Sequence, residues 1–342
     1  KTSKAVEIFS AIIEGKDTTK YGKNVDTVMG HIKELATRAM GGDGQAKAEL
    51  NAYVRIALEP KLQERIQLFD FIGRFRQFDY NEQPVYTQYK HFTQSGFQAA
   101  QGDTQLSTLT WEEHPMTTQT ISGGFAVNYR EVASGNTDKI AEGMERVKID
   151  MHNKAMHYVI TTLYTAIKNA TGIKYYGESA GLTKSSLDDV LTKVRRNGRP
   201  SIAGDYSVVA QINGFQGYAF NAPTAVSDVA LEEMRQSGYL GMYSGSPVME
   251  IPNQYDFSRK NNAGDNFALQ LPEGLLFIIP QSDPVSPLQI AQRGDLMSAT
   301  GFDVVTGTEI TRFDLEIGAK VPEGEEHRIG LIRDTDYPEP SL

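Results

Sequence analysis

The residues with the most recognisable chemistry stand at 177–181, Gly177-Glu178-Ser179-Ala180-Gly181, a complete G-x-S-x-G pattern. In a serine hydrolase this pattern sets the nucleophile on a sharp turn between a buried strand and a helix, where backbone N–H groups serve the oxyanion. The neighbouring residues do not supply that context. Upstream, Ile173-Lys174-Tyr175-Tyr176 reads as a poor buried strand, and downstream the next helical pattern is delayed to Ser186 as its cap. The acid and the histidine of such a hydrolase follow the serine, yet the one histidine beyond Ser179 is His327, at the opening of a strand pattern. With 31 Gly in 342 residues, composition alone supplies roughly 0.2 such matches per chain. The motif therefore reads as a turn, with Gly177 and Gly181 present for backbone freedom and Ser179 as a turn hydroxyl. No catalytic residue is assigned.

Other chemistry-bearing clusters fail similar tests. His152 and His157 are five positions apart, about 140° around a helix, so they do not share a face as metal-binding i, i+4 histidines do. Glu112-Glu113-His114 alternate faces if the segment is a strand, and no second ligand cluster accompanies them. Gly41-Gly42-Asp43-Gly44 lacks both the preceding strand and the following Lys-Ser/Thr of a phosphate loop. The chain has no cysteine, which removes disulfides, thiolate metal sites and cysteine nucleophiles. A net charge of −9, from 34 basic and 43 acidic residues, gives no basic field for nucleic acid. No apolar run approaches the ~20 residues that span a bilayer. Neither a cofactor nor a metal is expected.

The elements that would position any site read as follows. Val6, Phe9, Ile12 and Ile13 fall on one helical face, as do Val28, Ile32, Leu35 and Ala39. Helical spacing continues from Ala46 to Phe78, with Pro60 expected to interrupt it. These are amphipathic arms that need another surface to lie on. From Asp79 to about Asn128 the chain turns to aromatic, Thr and Gln residues with period-two alternation, which predicts two long strands in an extended ribbon. Thr137 or Asp138 then caps a helix running to Asn169, with Ile140, Met144, Val147, Met151, Ala155, Val159, Leu163 and Ile167 among its apolar stripe. About thirty residues make a rod of roughly 45 Å. A short helix from Ser186 buries Leu187, Val190, Leu191 and Val194; residues 206–212 read as a strand, and a helix is expected near 227–238. Strand patterns near 275–280, 311–321 and 327–334 and a polar tail close the chain.

This order, helical arm, long ribbon, very long helix and then a compact mixed domain whose last strands return, resembles the major capsid proteins of tailed bacteriophages, the Hong Kong 97 type. The resemblance rests on "FAVNYREVASGN" before the rod, on "TDKIAEGMERVKIDMHNKAMHYVITTLYTAIKNA" as the family's spine helix, on "GLTKSSLDDVLTKVR" as the helix opening its axial domain, and on "ALEEMRQSGYLGMYSGSPVMEIPN" and "LPEGLLFIIP" beyond it. It implies an α+β fold with an N-terminal arm (1–75), an E-loop ribbon (76–124), a peripheral domain with the spine helix (125–184), an axial domain (185–310) and C-terminal strands returning to the peripheral domain (311–342). It implies a non-enzymatic shell protein, a homo-oligomer of pentamers and hexamers in an icosahedral capsid around double-stranded DNA, with no membrane partner. Its partners would be a portal, a scaffold or maturation protease and, in some particles, a decoration protein. The particle would assemble in the host bacterial cytoplasm. Ribbon residues Tyr86, Tyr89, Lys90, Phe92, Phe97 and Trp111 are the inter-subunit contact candidates. Lys90 is the only lysine in the ribbon, and no covalent cross-link through it is expected. On this resemblance, Lys1 as the first residue implies removal of a scaffolding segment by a maturation protease. An encapsulin-like nanocompartment shell and a hydrolase using Ser179 stand as the alternatives.

Overall fold

The computed structural model describes residues 4–13, 18–62, 69, 72–92, 95, 97, 108–126, 138–215, 218–219, 239–261, 264–280, 286–303 and 308–340. Helices α1 (Lys4–Ile13), α2 (Asn24–Met40) and α3 (Gly44–Leu62) open the chain. Strands β1 (Arg74–Phe78), β2 (Val85–Phe92), β3 (Thr108–Pro115) and β4 (Thr118–Ala126) lead to the long helix α4 (Asp138–Asn169). There follow β5 (Tyr175–Ser179), α5 (Lys184–Arg195), β6 (Pro200–Gly204), α6 (Tyr206–Ile212), β7 (Tyr218–Ala219), β8 (Tyr239–Tyr243) and β9 (Ser246–Glu250). The chain closes with β10 (Tyr255–Lys260), β11 (Phe267–Leu269), β12 (Leu275–Pro280), β13 (Gln289–Asp303), β14 (Thr308–Lys320) and β15 (Gly330–Asp334). The strands form a four-stranded sheet in the order β1-β13-β14-β4, a seven-stranded sheet in the order β5-β15-β12-β6-β9-β8-β7, and two separate pairs, β2-β3 and β10-β11.

Two compact units divide the chain: Lys1–Ile66 with Gln119–Ala155 and Gly294–Ile317, and Gln67–Thr118 with Met156–Arg293 and Gly318–Leu342. In the first unit, α1, α2 and α3 pack on one another. Phe9 is fully buried and meets Tyr53 edge to face at 5.9 Å. Val28, Ile32, Leu35 and Ala39 are buried as their spacing predicts, and Leu50 and Val54 of α3 close the cluster. The turn at 41–44 is a helix junction: the Asp43 carboxylate accepts from the backbone N–H of Gln45 (3.0 Å) and Ala46 (3.3 Å) and binds Arg38. That hydrogen bond from Arg38 holds the Asp43 carboxyl below the usual carboxylate range. Helix α3 runs through Pro60 for its last turn only, ending at Leu62.

The core of the second unit is built on β12, whose six residues are all buried. Successive side chains alternate faces, so a strand buried on both must be apolar throughout. Leu276 and Ile278 join Leu187, Val190, Leu191 and Val194 of α5 and Val208, Val209 and Ile212 of α6 in one cluster. Leu275 and Phe277 line a small gap with Ile160 of α4 on the opposite side. Helix α4, 32 residues and about 48 Å long, buries Met151, Ala155, Val159, Leu163 and Ile167. Its Thr161, Thr162 and Thr165 hydroxyls donate back to the i−4 carbonyls, which satisfies them within the helix.

Three local expectations are corrected. Residues 206–212 form helix α6, because Asp205 caps them by accepting from Ser207 N at 3.0 Å and their apolar positions at i, i+1 and i+4 all face the core. Their β-branched content had favoured a strand. The N-cap of α5 is Thr183, which accepts from Ser186 N at 3.3 Å, while the Ser186 hydroxyl donates back to Thr183 O at 2.8 Å. Residues 108–115, in the polar stretch 99–115 expected to link the two ribbon strands, form β3 and pair with β2, whereas 118–126, within the expected second ribbon strand, form β4 of the four-stranded sheet. The helix expected near 227–238 lies outside the described residues.

Helix α5 packs tightly over Gly330 in β15. A Cβ added there would stand 2.4 Å from Val190 Cγ1 and 3.0 Å from Val194 Cγ2. Gly330→Ala should therefore overpack this layer and cost about 1–3 kcal/mol, read as a lower denaturation midpoint. An unchanged midpoint would contradict this packing.

Candidate assembly surface

The ribbon β2–β3 pairs antiparallel from Val85 opposite Pro115 to Phe92 opposite Thr108. A two-stranded hairpin is at best marginally stable alone, so its attachment decides whether it holds a fixed course. That attachment is a side-chain amide. Gln289 at the start of β13 accepts from Thr87 N through Oε1 (2.9 Å) and donates from Nε2 to Thr87 O (2.6 Å). Both residues are buried, Thr87 at 6% and Gln289 at 2% exposure. The glutamine thus supplies the two bonds that a neighbouring strand would make. Arg76 donates to the Thr87 hydroxyl at 3.2 Å, and Gln88 Nε2 donates to Glu323 O at 2.8 Å. At the base, Met116 N donates to Pro84 O at 2.8 Å and Met116 is buried, which ends β3 and turns the chain into β4.

The six contact candidates distribute along this ribbon. Tyr86 stands opposite His114 and stacks on it at 5.3 Å between centroids. Burial, with the Glu323 charge in second place, pushes the Tyr86 hydroxyl up. Tyr89 lies opposite Trp111, Lys90 opposite Thr110 and Phe92 opposite Thr108 by backbone register; the side chains of Tyr89, Lys90 and Phe92 lie outside the description. Trp111 is 62% exposed, and Phe97 is exposed as well. Glu112 and Glu113 follow this exposed tryptophan on β3 and are exposed as well, and indole combines a large apolar area with few rotatable bonds. Gln289 escaped sequence reading altogether. A glutamine opening a strand carries no periodic signal, and its role exists only once β2 lies beside it.

The chemistry-bearing motifs are structural. Ser179 ends the edge strand β5, paired with Asp334, and its hydroxyl donates to Gly181 O at 2.7 Å. Gly177 lies in mid-strand without a left-handed φ, so only Gly181 (φ +69°) needs the freedom of glycine. The buried Asp334 carboxylate accepts from Gly181 N (2.8 Å) and from Gln211 (3.3 Å), pinning the turn before α5. The register pairs Gly330 with Tyr175, about 13 Å along the strand from Ser179, and His327 lies beyond that end of β5. No acid–histidine pair addresses the serine among the described residues. His157 is half-buried and held below the ordinary imidazole value by burial, then by the Arg259 charge. Among the described residues, no group of three or more His, Cys, Asp or Glu could hold a metal ion, and no helix is long and apolar enough to cross a membrane.

Solved structures of similar fold were found. The acid-stable capsid of Helicobacter pylori bacteriophage KHP30 is similar with a TM-score of 0.50 at 12% identity, covering 75% of this chain and 86% of that one. The holo-SrpI encapsulin complex of Synechococcus elongatus gives 0.49 at 9% identity, covering 81% and 91%. A virus-like particle from Pyrococcus furiosus gives 0.46 at 12%, covering 82% and 97%. The fold is the α+β capsid fold of the Hong Kong 97 type. No curated protein matches the chain in sequence. A family model does, over residues 1–333, described as "SPbeta prophage-derived putative capsid protein YonB". The chain belongs to this family of phage capsid proteins.

Two outcomes follow from the geometry. Gln289→Leu leaves the Thr87 N–H and C=O buried without partners, at about 1–3 kcal/mol for each, so hydrogen exchange at the Thr87 amide should accelerate at least about tenfold; unchanged exchange would contradict the clamp. Ser179→Ala removes one hydroxyl bond worth about 1 kcal/mol and should leave both thermal stability and particle yield within that margin, whereas abolished assembly would contradict a purely local role.

Proposed function

We propose that this capsid protein self-assembles into pentamers and hexamers of an icosahedral shell that encloses packaged double-stranded DNA. The observation that carries the proposal is the ribbon: it is pinned at its base by the buried Gln289–Thr87 amide pair, yet it leaves Trp111 and Phe97 exposed. A surface of this kind is satisfied when a neighbouring copy covers it, and closed symmetry does so without filaments. Tyr86, Tyr89, Lys90, Phe92, Phe97 and Trp111 are the proposed contact residues. Residues 76–124 act as the E-loop, α4 as the spine helix of a peripheral domain over 125–184, and 185–310 as the axial domain. The three N-terminal helices belong to the segment proposed as the arm.

The net charge of −9 supports confinement of DNA over tight charge pairing with it. The proposed role involves no catalysis; a portal and a scaffold or maturation protease are its partners during assembly in the host bacterial cytoplasm. Negative-stain microscopy of the purified protein should show uniform closed shells, and particles from infected or induced cells should hold nuclease-resistant DNA. A small soluble species under all assembly conditions would overturn the shell; intact shells filled with protein cargo and devoid of DNA would favour a nanocompartment.

A further inference from the structure

A second exposed aromatic surface lies far along the chain from the ribbon. The hairpin β10–β11 carries Tyr255 (44% exposed), Phe257 (76%) and Phe267 (43%), with Phe257 and Phe267 edge to face at 5.2 Å. The register sets Lys260 directly opposite Phe267, and Arg259 precedes it. The hairpin is braced internally. Arg259 Nε meets Asp256 at 2.6 Å, and hydrogen bonds from Ser258, then from Arg259, hold the Asp256 carboxyl down at about 2. Near the tip, Asn261 Oδ1 accepts from Gly264 N at 2.8 Å while its Nδ2 donates to Asp265 at 2.7 Å. Three rings on a two-stranded hairpin have no interior of their own to enter, and a braced hairpin loses little freedom when it is covered.

The ribbon offers the complement. Trp111 and Glu113, two positions apart on β3, share one face of the strand and are both exposed. One patch is aromatic with cations beside it and the other is aromatic with an anion beside it, on the same chain. We infer that the β3 face of one copy, through Trp111 and Glu113, docks on the β10–β11 hairpin of a second copy, Trp111 against Phe257 and Phe267 and Glu113 beside Lys260. The contact is heterologous, joining different patches of identical subunits, and such contacts propagate around a ring. It rests on the shell reading and specifies where the ribbon lands. Aromatic contact supplies area and edge-to-face attraction, while the charge pair fixes register and disfavours ribbon-to-ribbon or hairpin-to-hairpin pairing.

The absence of native cysteine makes the test direct. Glu113→Cys and Lys260→Cys proteins, prepared separately and mixed before assembly, are treated with a short bismaleimide. Cross-linked dimers from shells of the mixture, absent from shells of either variant alone, are the expected result. Shells without cross-linked dimers overturn this contact and leave the shell reading standing. If the wild-type chain forms no shells at all, the shell reading falls and this contact with it. If a cysteine variant fails to assemble, charge reversal decides the matter. Lys260→Glu should weaken assembly about tenfold, and adding Glu113→Lys to the same chain should restore it. Equal loss in the single and double variants, with unchanged circular dichroism, overturns the pairing.

Discussion

A two-stranded ribbon has two faces and no interior. Whatever apolar surface it carries must be covered by another part of the chain or by another copy, and the described residues hold it near the base. There, Gln289 makes with Thr87 the pair of bonds that a third strand would otherwise make, inside a buried pocket. Beyond it, β2 and β3 pair only with each other among the described residues, and Trp111 stands exposed. In the proposed shell, this root fixes the course of a ribbon whose exposed face a neighbouring copy covers. Two strands of the four-stranded sheet supply the root: β13 opens with Gln289, and Arg76 of β1, which pairs with Ala291, reaches the same Thr87.

Much of this was legible in the residues. Long apolar periodicity reports helix reliably, so α4 ends at Asn169 where its stripe ends, and Leu187, Val190, Leu191 and Val194 point inward as spaced. Short segments were less legible. Val208, Val209 and Ile212 suit a strand by type and a helix by spacing, and only the Asp205 cap and the packing beneath decide for the helix. The N-terminal helices were expected as arms because nothing in a sequence shows that three amphipathic faces meet one another; Phe9 against Tyr53 shows that they do. Of the ribbon's aromatic candidates, Trp111 and Phe97 are exposed in the subunit, whereas the ribbon's anchor gave no signal. An amide side chain that mimics a backbone strand leaves no pattern in composition or period.

The G-x-S-x-G motif illustrates the converse, a pattern without its chemistry. It even lies between a strand and a helix. Yet Ser179 ends the strand instead of occupying the turn, its hydroxyl donates to Gly181 O, and the acid nearby, Asp334, accepts from the Gly181 backbone N–H. The Ser179 hydroxyl and the Asp334 carboxylate are both engaged in holding the junction between β5 and α5. Motif spacing is a statement about the chain, and function is a statement about what those atoms are free to do.

Trp111 is exposed in the subunit and, in the proposed shell, covered by a neighbouring copy. It is the single tryptophan of the chain, so intrinsic fluorescence reports on it alone. Emission should shift to shorter wavelength, and quenching by iodide should fall, when dissociated subunits assemble into shells. Emission and quenching that stay the same through assembly would contradict the account.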